Sequence, residues 1–257
     1  AELKLLQKLV KQRKDSAAIY TEQGRDDLAA PELAEAKVIG QFLPEQLSEE
    51  EVAAMVDLKK RILEIAYKHK LSHLGSYLSA AGIIDEIYGN KNPDDIFILS
   101  SGHASLALYA ALEKYEGKNA EELFLKHGGH PHRDEENGIY CSTGSLGLGI
   151  TVAVGRALAN KNRKVYVLIS DGESAEGSVW EALRFIKESN LSNIEVYVNV
   201  NGYAAYDKVD VKYLVDRLKA FLPTINIRYT SVNQYSFLRG LNAHYHVMSE
   251  EDYKSTL

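Results

Sequence analysis

The sequence predicts an α/β protein: a doubly wound parallel sheet with helices on both faces, preceded by a small all-helical segment. Two observations carry that expectation. Runs of β-type residues at Ile96-Phe97-Ile98-Leu99, Val165–Ile169, Ile194–Val198 and Ile225–Tyr229 alternate with helical stretches, and they are apolar at successive positions, as strands covered on both faces must be. Ahead of them, residues 1–70 carry apolar side chains at helical rather than alternating spacing. At 257 residues and 45% hydrophobic content the chain is long enough for one sizeable α/β domain with a small appendage.

In the leading segment Leu3, Leu6 and Val10 recur at helical spacing between Lys and Arg residues. Pro31 falls where a first helical turn tolerates it, and Leu33, Val38, Ile39 and Phe42 are expected to line one face. Pro44 interrupts. Ser48 with Glu51 forms a capping-box pattern, and Leu47 with Val52 a hydrophobic staple. Val52, Met55, Val56, Ile62 and Leu63 then mark one helix running to about residue 70.

Composition excludes several classes of function. A net charge of -6 argues against a broad basic face, so nucleic acid is not the expected partner. Cys141 is the only cysteine; no internal disulfide forms, and the residue reads as a small buried hydrophobe in a reducing compartment. No apolar run spans a bilayer and the first residues do not read as a signal peptide, so a cytoplasmic location is expected.

The stretch "SDGESAEGSVWEALRFIKESNLSNIEVYVNVNG", residues 170–202, holds the chemistry. A strand–turn–helix–strand unit brings both strand ends to one edge of a parallel sheet, where such folds bind ligands. Asp171 ends the first strand and Asn201 the second. Their oxygens are hard donors suited to Mg²⁺ or Ca²⁺, and Mg²⁺ prefers few protein oxygens plus phosphate and water. Gly172 and Gly177 allow close approach of a phosphate, and the following helix adds its N-terminal dipole. These residues suit a metal-bridged diphosphate; taken alone, they equally suit an acidic surface turn.

Asp171-Gly172, Glu176-Gly177, Glu181-Ala182 and Asn201 resemble the thiamine-diphosphate motif of the transketolase family, a Gly-Asp-Gly start followed about 30 residues later by Asn. That resemblance implies Mg²⁺ held by Asp171, Asn201 and the Tyr203 carbonyl, with Gly172 and Glu173 beside the cofactor. Ser170 stands in place of the family's first glycine, where its side chain would crowd the diphosphate. Further blocks occur in family order. "HLGSYLSAAGIIDEIY" implies that His73 faces substrate, and "ILSSGHASLALYAAL" points to Ser101, Gly102 and His103 at the diphosphate. "GGHPHR" places His130 near a donor sugar's hydroxyls, and "STGSLGLGITVAVGRALA" places Gly144 and Leu146 near the cofactor rings. His73, His103 and His130 suit a polyol substrate, since imidazoles donate, accept and shuttle protons near neutral pH.

The resemblance also implies a missing half. Transketolase-like catalysis needs a second domain whose glutamate touches the aminopyrimidine, and none follows residue 210. The expected protein is therefore one subunit of a split transketolase, moving a two-carbon ketol unit between sugars or sugar phosphates. A partner would supply the pyrimidine-binding half, in a heterotetramer or a dimer of halves, and the chain alone would be inactive. The alternatives are a non-catalytic scaffold of the same fold or one chain of another thiamine-diphosphate enzyme, such as one resembling deoxyxylulose-phosphate synthase. Residues 1–56 resemble a fragment of the YqeY family, giving expected domains of 1–56 and 57–257. A half domain joined through a continuous helix implies an engineered fusion.

Overall fold

The computed structural model describes residues 2–40 and 49–257, with side chains over 8–39 and 58–257. Its contacts divide into two compact units, Ala1–Ala53 and Ala54–Leu257. In the first, α1 (Glu2–Glu22) and α2 (Asp26–Gly40) pack on each other across a turn at Gly24, whose φ is 69°. Ala17, Ala29 and Ala36 are buried here, whereas Leu33 and Val38 are 51% and 57% exposed, contrary to the expected Leu33/Val38 face. Small residues win because they let two helix backbones approach closely. Arg13 reaches Glu32 and Glu35, each at 3.0 Å.

Helix α2 also starts earlier than Pro31 suggests. Asp26 and Asp27 occupy its first turn, where their charge suits the dipole, and Arg25 pairs with Asp27 at 2.9 Å. Pro31 consequently lies inside the helix and forgoes one main-chain bond. Phe42, Pro44, Leu47 and Ser48, and the side chains of Glu51, Val52, Met55 and Val56, lie outside the described residues.

In the second unit, α3 (Glu49–Lys68) buries Leu58, Ile62, Leu63, Ile65 and Ala66. The order continues α4 (Leu74–Asn90), β1 (Ile96–Leu99), α5 (Ser105–Glu116), α6 (Ala120–His127), α7 (Leu148–Ala159), β2 (Val165–Ser170), α8 (Gly177–Glu188), β3 (Ile194–Val200), α9 (Val211–Phe221), β4 (Asn226–Tyr229), α10 (Asn242–Tyr245) and α11 (Glu250–Lys254). Among the described residues the strands form one parallel sheet in the order β1-β2-β3-β4.

Strand side chains alternate between two cores, as a period of two requires. Phe97, Leu99, Tyr166, Leu168 and Tyr197 join α3, α4 and α5 on one face. Ile96, Ile98, Val165, Val167, Ile169, Val196 and Val198 join α7, α8 and α9 on the other. The run at Ile225–Tyr229 is the exception to the fully buried reading: β4 is half-buried and Tyr229 is 68% exposed, although β1 at the other edge is buried throughout. Among the described residues no helix is long and apolar enough to cross a membrane.

Candidate cofactor and substrate site

The parallel register sets Ser170 opposite Asn199, so the chain leaves β2 and β3 at the same edge of the sheet. Asp171, the next residue, is only 2% exposed. Its Oδ2 accepts the N–H groups of Asn201 at 2.9 Å and Gly202 at 2.6 Å, and its Oδ1 accepts Gly172 N–H at 3.0 Å. Burial pushes the Asp171 carboxyl up to about 6, while these main-chain donors act in the opposite direction. The groups that hold it are thus main-chain N–H donors rather than a Lys or Arg. Asn201 Oδ1 accepts Tyr203 N–H at 3.0 Å. A Cβ on Gly172 would stand 2.9 Å from Ala204 Cα and 3.5 Å from the Tyr203 carbonyl oxygen, so only glycine permits this approach of the two strand ends.

The donor set offered at this edge is one carboxylate, one amide oxygen and one carbonyl. Among the described residues no group of three or more His, Cys, Asp or Glu forms a metal cage. A single carboxylate with neutral oxygens fits Mg²⁺, which keeps much of its shell for water and phosphate. A buried carboxylate that lacks a cationic partner is also the group a metal would relieve most.

Histidines form the opposite wall. His73 precedes α4 in the left-handed region, at φ 68°, a conformation uncommon for a side-chain-bearing residue and typical of functional positions. Its N–H donates to the His244 carbonyl at 2.7 Å. The His73 ring lies 4.3 Å from that of His244 and 6.3 Å from each of His103 and His130. Burial, reinforced by the neighbouring imidazoles, lowers His73 to about 4 and His103 to about 3, and burial lowers His244 as well. These three rings are neutral at neutral pH, each with one donor and one acceptor nitrogen.

All four histidines line one cavity of about 210 Å³, together with Gly144, Leu146, Gly172, Glu173, Asn201 and Tyr203. Ser101 and Asp171 do not line it; both are buried. Among the described residues no Lys or Arg contributes to its wall. Gly144 sits against the His130 ring, where a Cβ would be 3.3 Å away, at a φ of 145°.

Two family models and several relatives bear on this cavity. The family model for the transketolase thiamine diphosphate binding domain matches residues 85–224, more than half of the chain. The chain belongs to that family. A second family model, Yqey-like protein, matches residues 1–88, well beyond residue 56 and into α4. One apulose-4-phosphate transketolase subunit, from Phocaeicola vulgatus, is 34% identical over 163 residues, covering 56% of this chain and 58% of that one. Human transketolase is 34% identical over 138 residues, covering 49% of this chain but 22% of its own. The fold of a transketolase from Leishmania mexicana superposes with a TM-score of 0.64 at 19% identity, over 82% of this chain and 41% of that chain. The matched region therefore spans 58% of the Phocaeicola relative and 22% of the human one.

Three features of this transketolase-family site are not read from the sequence, or only in part. His244 joins the cluster without belonging to any motif block; the tail holds His244 and His246 with nothing to choose between them. His246 instead meets Asp252 at 3.0 Å and stacks on Phe237. Ser100 carries no motif signal of its own, and Glu173 has a second role besides facing the cavity. Glu173 is 0% exposed, and its Oε1 accepts Ser100 Oγ–H at 2.6 Å and Gly147 N–H at 2.7 Å. Ser100 Oγ in turn accepts Ile150 N–H at 3.0 Å, so one carboxylate ties the ends of β1 and β2 to the start of α7. Glu173→Leu leaves these buried donors unpaired and is expected to cost about 2–3 kcal/mol, a melting shift of roughly 4–10 °C. Glu173→Gln, which keeps an acceptor, should melt within a few degrees of the parent. Differential scanning calorimetry of the two variants checks this, and equal melting would remove Glu173 from the tie.

Proposed function

We propose that this chain is the thiamine-diphosphate- and Mg²⁺-binding subunit of a split transketolase, which transfers a two-carbon ketol unit between sugars or sugar phosphates. The observation that carries the reading is the cavity itself: Gly172, Asn201 and Tyr203, from the β2 and β3 ends, share about 210 Å³ with four histidines, and the Asp171 carboxylate is buried against the Asn201 and Gly202 main chain at that edge. The Phocaeicola relative, named as one subunit of a transketolase, supports it.

Asp171, Asn201 and the Tyr203 carbonyl would hold Mg²⁺. His103, Gly144, Leu146, Gly172, Glu173 and Asn201 would surround the cofactor, whereas Ser101, expected beside it, is buried outside the cavity lining; the same edge leaves Gly172 open to a diphosphate. Bound there, the cofactor supplies an electron sink for the carbanion released as the donor sugar's C–C bond breaks. The protein's own work is orientation and proton movement. His73, His103 and His130 meet the substrate's hydroxyls, and a neutral imidazole can accept a hydroxyl proton on one nitrogen while donating from the other. His244, 4.3 Å from His73, extends this wall. Ser170 lines the cavity, and its Oγ accepts Glu173 N–H at 3.1 Å within the turn.

A partner chain would supply the pyrimidine-binding half, in a heterotetramer or a dimer of halves, in the cytoplasm. The residues of the proposed site all lie within 57–257. Reconstitution tests the reading. The chain is incubated with thiamine diphosphate, Mg²⁺, a ketose donor and an aldose acceptor, with and without a second chain bearing the pyrimidine-binding half. Ketol transfer should require both chains. A mixture that binds cofactor and assembles yet transfers nothing would favour a scaffold instead.

A further inference from the structure

The metal-donor edge and the histidine wall come from different elements, and one buried residue connects them, through its main chain to the first and its side chain toward the second. Asn199 lies in β3 on the same face as Tyr197, turned toward α4, and is 4% exposed. A buried amide beside an apolar core is costly unless bonded. Here its Nδ2 donates to Ser79 Oγ at 2.9 Å and its Oδ1 accepts Thr230 Oγ1–H at 2.5 Å. Its main-chain oxygen accepts Asp171 N–H at 3.0 Å.

Each bond leads to a different part of the site. Ser79 Oγ–H donates to the Ser76 carbonyl at 3.2 Å, in the first turn of α4, and Ser76 N–H donates to the His73 carbonyl at 2.9 Å. Thr230 N–H donates to the Val200 carbonyl at 2.9 Å, and the chain beyond it passes through Val232 to His244, both on the cavity wall. Asp171 is a metal donor in the reading above, and Asn201 follows Asn199 by two residues. An apolar side chain would fill the same core space without needing partners. What the amide adds is register: it fixes β3 relative to α4 and to the exit of β4.

We propose that Asn199 is a positioning residue that holds the Asp171–Asn201 metal edge in register with the His73 and His244 wall. The proposal rests on the functional reading for its consequence but not for its geometry. The test uses the full chain carrying Asn199→Leu, Ser79→Ala and Thr230→Val together, which removes every member of the network and leaves none unpaired. That variant should melt within a few degrees of the parent. Amide hydrogen exchange at Asn201, Gly202 and His73 should nevertheless speed up about tenfold or more, while the central β2 and β3 amides keep their protection. Mg²⁺-dependent affinity for thiamine diphosphate, measured by calorimetry, should weaken by at least about tenfold. A residue with a merely structural role would move melting and all exchange rates together.

Unchanged exchange at those three amides, or unchanged affinity, overturns the proposal. If the triple variant does not fold, Ser79→Ala alone is measured in the same way and must show the same selective exchange at His73. Should the parent chain bind no cofactor alone, the titration is repeated with the partner half present; no binding there sinks the functional reading, and the exchange data decide the positioning role by themselves.

Discussion

Asp171→Asn is expected to abolish Mg²⁺-dependent binding of thiamine diphosphate, a loss of at least about 100-fold, without lowering the melting temperature of the free chain. The two halves of this result have one cause. Asp171 is the only charged member of the donor set, and it is buried among main-chain N–H groups that already use its oxygens. Asparagine keeps an acceptor for the Asn201 and Gly202 N–H groups and removes a charge that costs stability in the free chain. Asn201→Ala removes a neutral donor and should weaken binding by about tenfold. Isothermal titration calorimetry of the three proteins, with thermal melts beside it, checks both halves. Wild-type-like affinity in Asp171→Asn would move the metal elsewhere.

The same carboxylate sets a pH dependence. Its folded value of about 6 lies above the ordinary 3.8, so between those values the folded chain holds a proton that the unfolded chain has released. Asp171 therefore costs stability as pH rises from 3.8 to 6, and the cost stays constant above that. Metal takes the ionised form. Binding should tighten as pH rises toward 6, by about tenfold per unit at the limit, and level off above it.

The strands of the sheet were legible because a parallel sheet covered on both faces leaves an unmistakable mark: β1, β2 and nearly all of β3 are buried at every position. That Asp171 and Asn201 leave the sheet at one edge was legible from the strand–helix–strand order, and the register of Ser170 opposite Asn199 bears it out. Elsewhere the one-dimensional signal was weak or misleading. Leu33 and Val38 look like a packing face, but Ala17, Ala29 and Ala36 make the contact, and hydrophobic size says nothing about how closely two helices approach. His244 was legible only as one of two tail histidines, and Asn199 carried no sign of its role, for another reason. Each belongs to the site through partners distant in sequence: His73 lies 171 positions before His244, and Ser79 lies 120 before Asn199. Glu173 was placed at the cofactor by motif resemblance, and only its bonds to Ser100 and Gly147 reveal the structural load it also carries.

Acid should destabilise the free chain through the histidine wall, and His103 should account for the largest single share. Its folded value of about 3 lies far below the ordinary 6.5, because burial disfavours the imidazolium and His244, His73 and His130 repel it. Below 6.5 the unfolded chain gains a proton that the folded chain refuses, so stability falls as pH drops from 6.5 toward 3. His73 acts in the same direction between 6.5 and about 4, discounted because it is only half-buried. Asp171 opposes them over 3.8 to 6, but it is one group against three. Between about pH 7.5 and 5.5 the net loss is expected to be on the order of 1–2 kcal/mol, with His103 supplying the larger part. Urea unfolding followed by Trp180, the single tryptophan of the chain, measures this at the two pH values. His103→Gln should remove more than half of the loss; an unchanged loss would show that the wall is already hydrated and that His103 protonates freely. The His73 ring lies 4.3 to 6.3 Å from the other three, so the first proton to enter raises the cost of the next. The burial that keeps His73, His103 and His244 neutral for work on a polyol thus makes this wall a place where acid weakens the fold.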